Sequence, residues 1–180
     1  MTTSTAEPTT SSTSNLTDIG LLILRIGIGA TMVHAGLLKV FSFDATIGFM
    51  ETGGWTPSTV AALMVTATEL LGGIGLLLGA LTPLAACAVI AAMIDAWAVN
   101  VSAAEVWADP FNAPFLIALG GTSLLFAGAG AYSVDARLFG RTVWSARIAI
   151  GLLVVAIAAA LFTWVLLNGT NPIHFDAPTR

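Results

Sequence analysis

Hydrophobic positions in this chain come in long unbroken runs, separated by short polar stretches. The runs fall at 19–41, 59–80, 83–101, 114–131 and 143–167. Each is close to the roughly 20 residues a helix needs to cross a bilayer. Pro57, Pro83 and Pro114 stand at or just before the starts of three runs, where the first turn of a helix accepts proline. Leu81 and Thr82 leave only a tight connection between the second run and the third. Trp144 and Trp164 lie near the two ends of the fifth. About 30 Å of helix separates them, which predicts an aromatic residue at each membrane interface. The pattern predicts an all-α, polytopic helical membrane protein: a four-helix transmembrane bundle plus a fifth transmembrane helix, held in a lipid bilayer.

Composition supports this class and removes others. The chain is 57% apolar and 9% charged, against about 45–50% and 25% for soluble domains. Its mean hydropathy is +0.92. An ordinary cytosolic enzyme and a disordered chain are excluded. With 6 Lys and Arg against 10 Asp and Glu, a basic nucleic-acid binder is excluded too. Cys87 is the single cysteine, so no intrachain disulfide and no zinc-type Cys/His cluster can form.

Charge placement orients the spans. Arg137 and Arg141 lie between the fourth and fifth runs and Arg147 at the start of the fifth, and such positive clusters stay in the cytoplasm. The expectation is a multi-pass protein of the cytoplasmic membrane with its N-terminus inside and its C-terminus outside. Residues 1–18, rich in Ser and Thr, lack the positive start and apolar core of a secretory signal. They are expected as a disordered cytoplasmic tail, and residues 168–180 as an extracytoplasmic one.

Five ionisable groups interrupt the apolar runs: Arg25, His34 and Lys39 in the first, Glu69 in the second and Asp95 in the third. Each costs at least about 2.5–3.5 kcal/mol in hydrocarbon unless paired, neutralised or facing a cavity. Helix rise puts Glu69 and Asp95 level with each other at about 16–18 Å depth, and Arg25 about two turns away. That arithmetic suggests an Arg25–Glu69 pair, either as a structural link or as part of a site. Lys39 is expected to reach the outer interface. Arg25 and Lys39 share a helix face with Gly29, Met32 and Gly36, and His34 points away from it. His34 is open to two readings, a hydrogen bond to a neighbouring helix or ligation of a cofactor. No metal site is expected, since convergent ligands are lacking. Asp95 has no second intramembrane cation to neutralise it, and so has the strongest claim to function. Asn100 would line the same passage.

Gly72, Gly75 and Gly79 give the second run a small-residue stripe for close helix approach. Leu71-Gly72-Gly73-x-x-Leu76-Leu77 also matches Leu119-Gly120-Gly121-x-x-Leu124-Leu125. Two readings stand, a chance match in a Gly- and Leu-rich chain or a direct repeat of two parallel hairpins.

Leu24-Arg25-Ile26-Gly27 and His34-Ala35-Gly36-Leu37-Leu38-Lys39 resemble the opening of the DoxX family of small membrane proteins. The resemblance continues through Gly53-Gly54, Pro57, Thr68-Glu69-Leu70-Leu71-Gly72-Gly73, Leu78-Gly79 and Met93-Ile94-Asp95-Ala96. It ends at Tyr132-Ser133-Val134-Asp135. It covers residues 19–139 as a four-helix domain, with the fifth helix at 140–167 as an addition. The resemblance implies kinship with the small subunit of thiosulfate:quinone oxidoreductase, and with organisers of thiol and superoxide defence at the membrane. Arg25, His34, Lys39 and Glu69 carry the pattern. It makes quinone the candidate cofactor, with His34 and Glu69 as candidate contacts. The expected function is the membrane subunit or quinone-associated partner of a redox system, working with other membrane proteins or as a homo-oligomer. The rivals are a non-catalytic scaffold subunit and a small proton- or cation-linked transporter.

Overall fold

The computed structural model describes residues 10–103, 106–173 and 175. Its helices are α1 (Thr10–Phe41), α2 (Phe43–Thr52), α3 (Ser58–Leu78), α4 (Thr82–Ser102), α5 (Ala113–Ala127), α6 (Val134–Phe139) and α7 (Ala146–Leu167). Among the described residues there is no strand. Four helices are long and apolar enough to cross a membrane: α1 over Asn15–Phe41, α3, α4 and α7. The protein is a multi-pass helical membrane protein.

Several boundaries differ from the hydropathy pattern. The α1 helix begins at Thr10, so residues 10–18 extend it where a tail is expected; residues 1–9 lie outside the described residues. The fourth apolar run supplies only the 15 residues of α5. That is about 22 Å of helix, short of the roughly 30 Å hydrocarbon core. Its start is fixed by the Asn112 side chain, which accepts from the Phe115 amide at 3.3 Å. Its end is fixed by Gly128 at φ 82. Beyond that glycine the helix does not continue, and the Ala129 amide donates to the Thr142 carbonyl at 3.0 Å. Two short helices, α2 and α6, stand where loops are expected.

Helices α1, α3, α4 and α5 form a closed ring in which each packs on the next, and α7 lies outside it against α4 and α5. Ring neighbours run antiparallel, while α7 runs parallel to α4, with the Cys87 thiol 3.3 Å from the Leu152 carbonyl. One end of the bundle carries the α3–α4 turn, α6 and the three arginines, all exposed. The other end carries α2, Trp55 and the C-terminus of α7.

Glycines set the closest approaches. A Cβ on Gly29 would stand 2.8 Å from the Leu77 nitrogen, one on Gly36 3.0 Å from that of Leu70, and one on Gly73 2.8 Å from that of Val33. These contacts bring α1 and α3 backbone to backbone. Gly73, beside the small-residue stripe of α3, faces α1, whereas Gly72 and Gly75 of the stripe face Val89 and Ala85 of α4. Gly79 packs against the Arg25 side chain of α1, and at φ 61 it ends α3 in the left-handed conformation that glycine adopts freely.

Trp164 is buried rather than turned to an interface. Its ring meets Trp55 edge-on at 5.3 Å, and its indole N–H donates to the Thr170 carbonyl.

Candidate functional site

The α1–α3 register decides which charges meet. With Gly36 against Leu70 and Gly29 against Leu77, Lys39 in the last turn of α1 comes beside Glu69. Its Nζ donates to both carboxylate oxygens, at 2.9 and 2.7 Å. Glu69 is 4% exposed, so the lysine supplies the counter-charge that a carboxylate in this position requires. The lysine does not snorkel to an interface as expected, and the Arg25–Glu69 pair does not form. Depth counting assumes that neighbouring helices start level. Here α1 is longer than its apolar run, and α2 separates its end from the start of α3.

The pair stands on the wall of a cavity of about 350 Å³. Asp95 and Asn100 of α4 and Thr68 of α3 supply the other polar surface. Phe49, Met50, Trp55 and Met64 supply bulky apolar walls. Such proportions, mostly apolar with a few polar groups, are those of a small-molecule site. Asp95 makes no hydrogen bond and no ion pair with any described residue. The indole N–H of Trp55 is buried and equally unpartnered. One cation and two carboxyl groups therefore line the cavity.

Of the five ionisable groups read from the sequence, Lys39, Glu69 and Asp95 meet at this cavity. His34 does not. It is exposed on the opposite face of α1 and lines no part of the cavity, as nine residues of helical rotation from Arg25 require. Neither a cofactor in this cavity nor the ion pair involves it.

Arg25 lies at the other end, fully buried. Its Nη2 donates to the Tyr132 carbonyl at 2.5 Å, while Nε and Nη1 make no hydrogen bond with any described residue. The attracting charge is Asp135, a residue that sequence reasoning placed only at the end of a motif. The Asp135 carboxylate accepts from the Leu81 amide at 2.7 Å and the Thr82 amide at 2.9 Å, capping α4. Its own amide donates to the Gly79 carbonyl at 2.9 Å. A Cβ on Gly79 would collide with the Arg25 guanidinium. This arrangement ties the α3–α4 turn to α1 and α6.

Among known protein families, DoxX matches residues 20–102. The match covers 83 of the chain's 180 residues. No curated protein and no solved structure matches the chain. The DoxX segment runs from the first full turns of α1 to the last residue of α4, so it holds Arg25, His34, Lys39, Glu69 and Asp95 together. It stops before α5. The part of the resemblance between 103 and 139 therefore rests on the Tyr132–Asp135 motif alone. Three cavity-lining residues lie outside the DoxX segment: Pro114 at the start of α5, and Ala159 and Thr163 on α7. The additional C-terminal helix is thus part of the wall. It also holds Trp55 in place: the Thr56 amide donates to the Leu167 carbonyl at 2.6 Å, and the Asn168 side-chain amide to the Gly53 carbonyl at 2.8 Å. Sequence reasoning missed Trp55 and Thr163. Trp55 carried a signal, a lone tryptophan between Gly53-Gly54 and Pro57, where rigid turn residues hold an aromatic ring in place.

Proposed function

We propose that this DoxX-like protein is the membrane subunit, or quinone-associated partner, of a redox system serving thiol or oxidative-stress defence or respiration, and that the cavity takes the quinone head group. The observation that carries this reading is the lone Asp95 carboxyl lining, together with the Lys39–Glu69 pair, an apolar, aromatic-walled space. A quinone is a flat ring with two opposed carbonyl oxygens, and it carries two electrons and two protons. Lys39 Nζ has a donor for one oxygen, and a protonated Asp95 has one for the other. Trp55 and Phe49 offer faces for the ring, and the apolar walls suit its tail. Glu69 orients Lys39 by accepting from it through both carboxylate oxygens.

The test is the quinol–quinone absorbance of purified protein in lipid, alone and with candidate soluble redox partners. A change with at least one partner, reduced by Asp95→Asn, is expected. No change under any condition would sink the redox role. A stoichiometric partner whose assembly survives both Glu69→Gln and Asp95→Asn would favour a scaffold instead.

The same reading places the protein in the cytoplasmic membrane with the arginine end in the cytoplasm, the N-terminus inside and the C-terminus outside. Its support is the clustering of Arg137, Arg141 and Arg147 at one end, where the positive-inside rule sets orientation.

A further inference from the structure

A second concavity lies at the arginine end, on the outer surface between α4 and α7, with a volume of about 490 Å³. Leu84, Ile148, Leu152 and Val155 form its sides and Trp144 closes one end. Gly151 forms its floor, and nothing stands within 4 Å of where its Cβ would be. Leu84 and Val155 are more than half exposed, so the groove opens sideways toward lipid. From Ile148 to Val155 it follows about 10 Å of helix, about two thirds of the roughly 15 Å hydrocarbon depth of a single leaflet. Its length therefore suits part of one acyl chain.

The mouth of the groove is positive. Arg141 lies over the Trp144 ring, 5.3 Å from its centroid. Arg147 sits in the first turn of α7, four residues before Gly151 and so above the groove floor. A helix N-terminus already carries about half a positive charge, and the first turn of α7 contains no acidic residue. Among the described residues neither arginine makes an ion pair. Asp135, nearby in sequence, is engaged with the Leu81 and Thr82 amides. Two arginines without an ion-pair partner among the described residues and a helix N-terminus thus stand at the same end as this apolar slot.

We propose that this groove binds an anionic phospholipid, with one acyl chain along Gly151 and the phosphate held by Arg141 and Arg147. The site is separate from the quinone cavity and stands whatever occupies that cavity. A zwitterionic lipid fills the slot equally well but cancels its own charge at the mouth. The charge pattern therefore selects for net negative head groups such as phosphatidylglycerol.

Retention of phosphatidylglycerol against phosphatidylcholine by the full chain, measured by native mass spectrometry from mixed micelles, tests the proposal. Phosphatidylglycerol should be retained in preference. Arg141→Ala and Arg147→Ala should each lower that preference about fivefold, the weight of one basic residue at an anionic surface. Both side chains are exposed, so neither variant threatens folding. Gly151→Leu should abolish retention of phosphatidylglycerol while leaving the melting temperature in phosphatidylcholine unchanged or raised, since leucine favours helix over glycine. Equal retention of the two lipids, or a preference untouched in the double arginine variant, would overturn the site. Inorganic phosphate displacing the lipid fully, with Gly151→Leu without effect, would overturn the acyl-chain part and leave a free-phosphate site.

Discussion

Lys39 and Glu69 show how one residue pair organises the cavity end. The carboxylate is nearly buried and the lysine is half-buried, with 27% of its side chain exposed. Removing one partner strands the other charge in a poorly solvated position. Lys39→Met should therefore destabilise the protein by about 3 kcal/mol, and the double variant Lys39→Met/Glu69→Leu should recover most of that loss. Unfolding in mild detergent reads both, and a single variant as stable as the parent would refute the pairing. At the other end Asp135 holds two amides of a helix start. Asp135→Ala should cost about 2–3 kcal/mol, the scale of charge-assisted hydrogen bonds, seen as a lowered melting temperature in micelles. The two ends were unequally legible. That Arg25, Lys39, Glu69 and Asp95 needed partners or a cavity followed from their chemistry in an apolar run. Which partner each found did not, because pairing depends on helix register, and register is set by glycine contacts between segments that are remote in sequence.

Among the elements, length and hydropathy made α3, α4 and α7 readable almost to the residue. The same signal overran at α5, because hydropathy does not register the conformational break at Gly128. It also passed over α2, whose ten residues include Gly48 and two threonines and are too short to show a clear period. The glycine pairs invite a sharper test. In α3, Gly72 faces α4 and Gly73 faces α1; in α5, Gly120 faces Ile28 of α1 and Gly121 faces Ile90 of α4. The two Leu-Gly-Gly segments thus play corresponding parts, and Leu76 and Leu124 behind them are both fully buried. Their tolerances differ, however. A Cβ on Gly73 meets backbone at 2.8 Å, whereas one on Gly120 meets only the end of the Ile28 side chain. Gly73→Ala should cost about 1–3 kcal/mol by forcing helices apart, and Gly120→Ala should be near neutral. Equal melting temperatures for the two would contradict the packing.

For the whole molecule, the ring of α1, α3, α4 and α5 consists of two antiparallel hairpins, with α7 added to one side. The proposed orientation predicts an accessibility pattern. In a Cys87→Ala background, a membrane-impermeant maleimide should label Asn171→Cys on intact cells, and Arg137→Cys only after permeabilisation. The reverse pattern would invert the topology. Because Cys87 is buried, its replacement leaves the labelled surface unchanged. The linkage between Arg25 and the Tyr132 carbonyl spans 107 positions in the chain. At synthesis rates of about 5–20 residues per second, the acceptor emerges roughly 5–20 s after the arginine. During that interval the first helix carries a cation that no later segment has yet arrived to match. The nascent chain therefore has a reason to stay at the insertion machinery until residue 135 is made, and biogenesis, more than the finished fold, is where this arginine is exposed to failure.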